Sequence, residues 1–391
     1  MHTQHAHLIR KLIKTAGILS AIVIVAYNGI SLKASVSGLQ SGLSQAVAKL
    51  EIYKVSNNDS YPTNLAIAGL AAPSGSTYIF NASTTGYCLS GTLPGANSGT
   101  PSGMSYFVTS SNYIPTAGSC SGVFPDGTTC PSGFIVVPGN VTFGTSDFCV
   151  MKYQASKVGG VATSVAGNTP WVSIIQTSAI TTASAACAGC HLITDPEWLT
   201  IASNVIGVGT NLYGQPSNWS GVLAGTGYIY SGHNDGAPSR ALATDTNDDN
   251  GYVGESNAGG NQRRTLVLSN GEVIWDFAGN VWEWTNATIS GGAQPGLSGE
   301  SAYAYKQWNN SSLLMNGLPS LSQPGAISGT VAGYSTAQGI GQLYSNYGEV
   351  GVRALVRGGN WSNYSTAGVL GLNLSFAPSV STSSIGFRVS R

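Results

Sequence analysis

Glycine limits how this chain can fold more than any other residue type. The sequence contains 52 glycines among 391 residues, and only 8% of the residues are charged. Glycine weakens helices and permits tight turns, while the 18 tyrosines and 8 tryptophans scattered among small polar residues suit short strands. We therefore expect a β-rich globule with long ordered loops, and not a helical bundle or a disordered chain.

Length and charge narrow the organisation and the partners. A chain of 391 residues exceeds the usual size of one domain, so two folded domains are expected. The 16 basic and 16 acidic residues cancel to a formal net charge of +0. Nothing in this balance suits a phosphate backbone, and no nucleic-acid partner is expected.

The N-terminus combines a basic start with an apolar run. His2, His5, His7, Arg10, Lys11 and Lys14 precede the run of residues 15–30, TAGILSAIVIVAYNGI. This order indicates membrane insertion, with the basic end in the cytoplasm. A short anchor helix fits better than a cleaved signal peptide, the alternative, because no small-residue cleavage site is evident.

The cysteines form an even set in a chain that carries an export signal of this kind. The six are Cys88, Cys120, Cys130, Cys149, Cys187 and Cys190. An even number favours disulfides, and a Cys88–Cys120 bond would close a loop inside the first domain. Zinc is the alternative, but only Cys187 and Cys190 have the C-x-x-C spacing, whereas four-cysteine zinc sites usually use two such pairs.

A helical pattern follows the apolar run. Leu39, Leu43, Val47 and Leu50 recur at helical spacing, which predicts one amphipathic helix that continues from the anchor to about Val55. The segment NNDSYP from residue 57 should end it, because proline and the residue before it disfavour helix. Short strands are expected next, and the Pro/Gly-rich residues 122–133 predict a domain boundary.

The segments IVIVAYNGI and KLEIYKVSNNDSYPTNL resemble type IV pilin-like proteins over roughly residues 15 to 122. The resemblance implies a long helix carrying a small β domain, with other pilin subunits as partners. It departs from the family in one respect: the prepilin-peptidase site, a glycine before an apolar run with an early glutamate, is absent. A simple anchored stalk is therefore the alternative.

The second half resembles the formylglycine-generating-enzyme-like, or sulfatase-modifying-factor, family. The matching segments are DFCVMKYQA, PW, CHLITDPEWLTIASNV, IWDFAGNVWEWTN, VRGGNW and IGFR, in the order of the family over about 260 residues. The resemblance implies a C-type-lectin-like fold rich in loops. Together the two resemblances predict an α+β chain: a membrane anchor and pilin-like helix (1–55), a small pilin-like β domain (56–122), a linker (123–133) and the lectin-type domain (134–391).

The same resemblance implies structural calcium. In GNVWEW, strand alternation places Trp282 and Trp284 on one side and Glu283 on the other, and hard oxygen ligands suit calcium. The resemblance implies a first calcium site at Asp276, Gly279, Val281 and Glu283. It implies a second calcium site at Asn218, Trp219, Asp249 and Tyr252. A hydrogen-bonded turn and a solvated acidic loop are the respective alternatives.

Catalytic ligands of the family are missing. Its oxidase members bind copper through two cysteines shortly after the RGG motif, since thiolates select Cu(I). Here no cysteine occurs after Cys190, and only His191 and His233 lie outside the N-terminal tail as potential iron ligands. Neither copper nor iron is expected, and no catalytic residue is predicted.

The residues after Arg357 resemble the variable C-terminus of diversity-generating-retroelement target proteins, which use the same lectin-type fold. Scaffold-like glycines and aromatics alternate there with Asn, Tyr, Ser, Thr and Phe, residues that adenine changes in an Asn codon can reach. Tyrosine, serine and asparagine also suit a binding surface. The predicted ligand-binding residues are Asn360, Ser362, Asn363, Tyr364, Thr366, Ser375, Phe376, Ser379, Ser381, Thr382 and Ser384; an ordinary polar loop is the alternative.

These observations predict a non-catalytic, adhesin-like binding protein, displayed on the cell surface by a membrane anchor or on a pilus. Its partner would be an extracellular protein or glycan that the sequence does not identify. Two alternatives stay open: a cysteine-less enzyme of the formylglycine-generating-enzyme-like family, and a structural pilus subunit.

Overall fold

The structure, a computed structural model, describes residues 33–83, 86–93, 104–124, 129–213, 228–244, 262–292, 294–315, 318 and 338–391. The chain divides into two compact units, Met1–Thr128 and Thr129–Arg391. The predicted anchor, residues 1–32, lies outside the described residues.

In the first unit a helix packs on a sheet. Helix α1, residues 33–56, buries Leu39, Leu43, Val47 and Leu50, the four apolar residues whose spacing indicated a helix. Their partners are Tyr87, Leu89 and Val108, which come from the sheet. Asn58 and Asp59 then take positive φ angles of 52° and 61°, a conformation that asparagine and aspartate tolerate and that ends the helix.

The sheet of this unit is a four-stranded antiparallel meander. Its order is β1-β2-β3-β4, with bounds Thr77–Ala82, Tyr87–Thr92, Ser105–Thr109 and Asn112–Ala117. A disulfide joins Cys88 in β2 to Cys120 after β4. It fixes the end of the sheet to its second strand.

The second unit is built on two larger sheets and three two-stranded ones. The larger sheets have the orders β15-β16-β18-β17-β14-β19 and β5-β6-β20-β9, and the small ones are β7-β8, β10-β11 and β12-β13. The strands are β5 Phe134–Val137, β6 Phe148–Met151, β7 Ser156–Val158, β8 Val161–Thr163, β9 His191–Leu192, β10 Leu212–Tyr213, β11 Tyr228–Ile229, β12 Thr265–Val267, β13 Val273–Trp275, β14 Trp282–Ile289, β15 Ala304–Lys306, β16 Leu343–Ser345, β17 Arg353–Arg357, β18 Leu372–Asn373, β19 Ile385–Phe387 and β20 Val389–Ser390.

Two helices belong to this unit, α2 at Gln176–Ser184 and α3 at Asp195–Ile206. The sequence TDPE starts α3 with a capping box, because the Thr194 hydroxyl accepts from the Glu197 backbone N–H and the Glu197 carboxylate accepts from the Thr194 backbone N–H. The buried face of α3 includes Trp198, which stacks on Phe277 at 4.1 Å between ring centroids. This face anchors the main core of the unit.

Three arginines are fully buried in this unit, and each holds a buried carboxylate. We call these pairs the buried frame. They are Arg264–Asp276, Arg357–Asp195 and Arg388–Glu283, with closest N–O distances of 2.6, 2.7 and 2.9 Å. The Arg264–Asp276 pair spans the β12–β13 hairpin, Arg357–Asp195 links β17 to α3, and Arg388–Glu283 links the end of β19 to β14.

The predicted fold class, α+β with a long pilin-like helix, is wrong. Among the described residues the regular elements are mostly short β-strands, 20 in all, with three α-helices. The part of the predicted long helix that precedes residue 33 lies outside the described residues. Frequent glycine, serine and threonine keep the regular elements short. Within the described ranges, no helix is both long and apolar enough to cross a bilayer.

Candidate ligand-binding surface

The residues predicted to bind a ligand lie on two segments, separated by a buried stretch. The first, residues 360–366, follows β17 and ends in a 3₁₀ turn at Tyr364–Thr366. The second, residues 375–384, follows β18. Residues 367–374 between them are buried and belong to the core.

Short local hydrogen bonds fix the first segment. The Asn360 side-chain oxygen accepts from the backbone N–H and the hydroxyl of Ser362, at 3.0 and 3.1 Å. The Asn363 side-chain oxygen accepts from the Asn360 backbone N–H at 2.8 Å, and the Thr366 hydroxyl donates to the Asn363 carbonyl. Asn360 is itself buried, so it shapes the turn from below while Ser362 faces solvent.

Tyr364 is the most exposed aromatic of the predicted set. Its side chain is 61% exposed, and its φ of +49° places it in the left-handed region, which is unusual for a bulky residue. Its backbone N–H donates to the Asn234 carbonyl at 2.7 Å, and its hydroxyl lies over Gly236, where a Cβ would come within 3.2 Å of it. The backbone conformation thus holds a large ring out on the surface.

The loop under Tyr364 is rigidly held. The backbone N–H of Gly236 donates to the Trp361 carbonyl, and that of Asn280 donates to the His233 carbonyl. The His233 ring is fully buried and its Nε2 lies 2.9 Å from the Pro238 carbonyl oxygen. Burial lowers the pKa of His233 below its ordinary value, which favours the neutral ring at neutral pH.

Two tyrosines that the sequence interpretation missed extend this region. The Asn363 side-chain amide donates to the Tyr305 hydroxyl at 3.0 Å, and the Tyr305 ring lies 4.5 Å from the Tyr344 ring. Tyr305 is 41% exposed. We call Ser362, Asn363, Tyr364, Tyr305 and Tyr344 the tyrosine surface. The alternation of tyrosines in SAYAYK was the signal that could have indicated one face of a strand.

The second segment has different neighbours. The backbone N–H of Ala354 donates to the Phe376 carbonyl, and that of Ser173 donates to the Thr382 carbonyl. The Phe376 ring meets Trp284 edge-on at 6.4 Å, while Ser379 and Ser381 are exposed. The Ser375 hydroxyl bonds the Asn373 side chain, and the hydroxyls of Thr382 and Ser384 lie 3.2 Å apart. The predicted residues therefore form two patches, with no hydrogen bond between them among the described residues.

The first predicted calcium set lies together, but its carboxylates are already paired. Both oxygens of Asp276 accept from Arg264, at 2.7 and 2.6 Å. Both oxygens of Glu283 accept from Arg388, and one also accepts from Gln154.

Two arginines balance the two carboxylates, and Gln154 also donates to the Val281 carbonyl. As they lie, Asp276, Gly279, Val281 and Glu283 do not fit a calcium site, which needs several free oxygens and a net negative charge. Desolvation raises the pKa of Glu283, and the Arg388 guanidinium opposes that rise. Glu283 is fully buried, because both faces of β14 are covered at residues 282–285.

The second predicted calcium set, Asn218, Trp219, Asp249 and Tyr252, lies outside the described residues. In the part of the chain that the structure describes, no three His, Cys, Asp or Glu side chains gather as they would around a metal ion.

The remaining cysteines and histidines have other partners. Disulfides join Cys130 to Cys149 and Cys187 to Cys190, so Cys187 and Cys190 are not thiolate ligands for zinc. His191 Nε2 lies 2.9 Å from a Glu197 oxygen. That hydrogen bond raises the pKa of His191, while partial burial opposes the rise. His191 therefore supports the capped start of α3, and His233 supports the loop beneath Tyr364.

The comparisons with known proteins assign no family to this chain. No protein-family model matches the chain, and the comparison with curated proteins finds no match either. Among solved structures the chain is similar to the Major Tropism Determinant P3c, U1 and I1 variants, with TM-scores of 0.29, 0.28 and 0.28 and identities of 16%, 14% and 15%. Each comparison covers 83% of this chain and 67% of the other. At these TM-scores the likeness carries no argument for a shared fold or function.

Proposed function

We propose that this chain is a non-catalytic, adhesin-like protein that binds an extracellular ligand through the tyrosine surface. Its C-terminal unit would be a C-type-lectin-type domain of the kind that diversity-generating retroelements vary. The disulfides in both units fit an oxidising compartment outside the cytoplasm.

One observation carries the proposal: exposed aromatic and amide side chains stand on a backbone that is fixed from below. Tyr364 and Tyr305 are exposed and have large rings with few rotatable bonds. The Asn363 side-chain amide donates a hydrogen bond to the Tyr305 hydroxyl. Such rings give contact area at a low entropic cost, while Ser and Asn hydroxyls and amides adapt to the partner. No charged residue belongs to the tyrosine surface as defined, so recognition would depend on shape, stacking and hydrogen bonds.

The first test is to sequence this locus in many cells of one population. Retroelement diversification predicts substitutions concentrated at adenines of codons for residues 360–366 and 375–384. Codons 367–374, which encode the buried stretch, serve as the internal control and should stay fixed. Equal substitution rates in the three stretches would contradict the proposal.

A second test separates binding from folding. Tyr364→Ala should leave the melting temperature unchanged within error, because the ring is exposed. When the purified variant is mixed with intact cells from the environment of the protein, the amount that stays bound should fall at least tenfold. Tyr113→Ala is the matched control, since Tyr113 is also about half exposed but lies in the first unit. If Tyr364→Ala and Tyr113→Ala stay bound to the cells in equal amounts, the tyrosine surface is not the ligand-binding surface.

A further inference from the structure

A cleft in the second unit has no residue of the tyrosine surface in its lining and adjoins the second predicted segment. Its volume is about 520 Å³, and its lining includes Ser156, Lys157, Asn168, Thr169 and Trp171. A cleft of this size is in the range of small-molecule sites. It borders residues 375–384, because Ser173, two residues after Trp171, donates its backbone N–H to Thr382.

The walls of the cleft are preformed. The Trp171 backbone N–H donates to the Ala155 carbonyl at 2.7 Å, and that of Gly167 donates to the Thr244 carbonyl. The Ser156 hydroxyl donates to the Thr163 carbonyl across the β7–β8 hairpin, whose turn Gly159-Gly160 has positive φ at both positions, as the tightest hairpins require. The Trp171 ring leans on the buried Phe387 ring at 5.8 Å. A ligand would therefore meet an ordered wall.

The functional groups in the cleft are a cation, an indole ring and small polar side chains. The Lys157 ammonium lies 4.8 Å from the centre of the Trp171 ring. None of the ion pairs or side-chain hydrogen bonds of the described residues uses Lys157, Asn168 or Thr169. The positive charge of Lys157 thus lies next to the indole ring of Trp171.

We infer that this cleft binds a carboxylated pyranose, a sugar unit of the hexuronate class. The C–H face of a pyranose loses water favourably against an indole ring. To admit the sugar, the exposed Lys157 side chain would swing off the Trp171 ring, over which its ammonium lies in the unliganded chain. Its carboxylate would take the Lys157 ammonium as a charge-assisted partner, and its hydroxyls would bond Asn168 and Thr169. A simple anion would leave the ring unused, and a neutral sugar would leave the ammonium unmatched.

This inference does not depend on the proposed function, because a monosaccharide at the cleft and a macromolecule at the tyrosine surface are measured separately. The full chain is titrated with sodium glucuronate, glucose and sodium acetate at constant ionic strength. The readout is the indole N–H signal of Trp171 in a ¹⁵N–¹H spectrum, assigned with Trp171→Phe. Glucuronate should give a saturable shift, with glucose and acetate each at least tenfold weaker.

Matched lysine variants complete the test. Lys157→Gln should weaken glucuronate binding about tenfold, to the level of glucose. Lys152→Gln is the control, because the Lys152 ammonium also lies over a ring, that of Tyr153 at 5.8 Å, but Lys152 does not line the cleft. It should bind like the parent chain, and melting curves confirm that both variants fold.

Four results would overturn the inference: no saturable shift with glucuronate, equal binding of acetate, equal binding of glucose, or equal losses in Lys157→Gln and Lys152→Gln. Equal acetate binding would reduce the cleft to a simple anion site. Equal losses in the two lysine variants would reduce the effect to general charge.

Discussion

The buried frame and the tyrosine surface belong to the same unit but differ in charge and in exposure to solvent. The frame holds charged residues, Arg388 and Glu283 among them, that are 0% exposed and fully paired. The tyrosine surface contains no charged residue, and its Tyr364 is 61% exposed. Two of the three frame pairs bond over more than 100 positions, whereas the residues of the 360–366 turn mostly bond within three positions of each other.

This difference teaches where the unit tolerates change. A buried ion pair cannot lose one member without stranding the other, because the remaining charge stays desolvated. An exposed side chain held by local backbone hydrogen bonds can be exchanged at little cost. A fixed frame beneath a replaceable surface is the physical requirement for a domain whose binding residues vary.

Breaking the frame should give the largest effect. Arg388→Ala leaves the Glu283 carboxylate buried without its partner, and the expected loss in the free energy of unfolding is about 3–5 kcal/mol. Denaturant unfolding monitored by tryptophan fluorescence measures it. The double variant Arg388→Met/Glu283→Leu should recover much of the loss, since no charge is stranded. A single variant as stable as the parent would mean that Glu283 has another partner.

The turn of the first segment should show an intermediate effect. Asn360→Ala removes the buried acceptor for Ser362 and should cost about 1–2 kcal/mol of unfolding free energy. Ser379→Ala and Ser381→Ala, both at exposed positions, should stay within about 0.5 kcal/mol of the parent. Thermal and denaturant unfolding of the three variants compares them. Losses of similar size at all three positions would contradict the distinction between the buried turn residue Asn360 and the exposed serines.

The His191–Glu197 pair should give a smaller, pH-dependent effect. The Glu197 hydrogen bond raises the pKa of His191 above its ordinary value of 6.5 in the folded state. The pair therefore contributes its full stability below the unfolded pKa and loses it as the pH rises through the raised folded pKa. The melting temperature of the parent should fall slightly over that window relative to His191→Gln. A folded-state pKa at or below 6.5 by NMR titration would contradict this.

Calcium should have the smallest effect. The sequence resemblance predicts structural calcium, but Arg264 and Arg388 already neutralise Asp276 and Glu283. The first set should therefore contribute no difference in melting temperature between EGTA and added calcium, whereas the second set lies outside the described residues. A ligand that binds only the folded state stabilises it in proportion to the logarithm of its excess, so a lower melting temperature in EGTA would support calcium at one of the two predicted sets.

Several features could be predicted from the sequence because they depend on neighbours in the chain. The spacing of Leu39, Leu43, Val47 and Leu50 indicated the buried face of a helix, and NNDSYP indicated its end. The even set of cysteines favoured disulfides but left their connectivity open, and Cys88–Cys120 was one pairing that would close a loop inside the first domain. The resemblance to variable C-termini predicted that Ser362 and Tyr364 bind a ligand, and the structure shows that both are exposed.

The partners of the buried charges could not be predicted in this way. Glu283 and Arg388 are 105 positions apart, and Asp195 and Arg357 are 162 apart. Strand alternation placed Glu283 opposite the two tryptophans, but a local pattern cannot tell whether that second face meets water or another layer. Likewise, Tyr305 meets Asn363 over 58 positions, so two of the five residues of the tyrosine surface could not be found from the segment after Arg357.

The sequence by itself indicated a glycine-rich, β-rich chain with an even set of cysteines that favours disulfides and with many small polar residues after Arg357, because composition and spacing control turns, caps and local exposure. The tertiary structure alone decided which carboxylate meets which arginine, which tyrosines join Asn363 and where Lys157 lies over Trp171. Those contacts depend on how distant strands pack, and packing is a property of the whole folded unit.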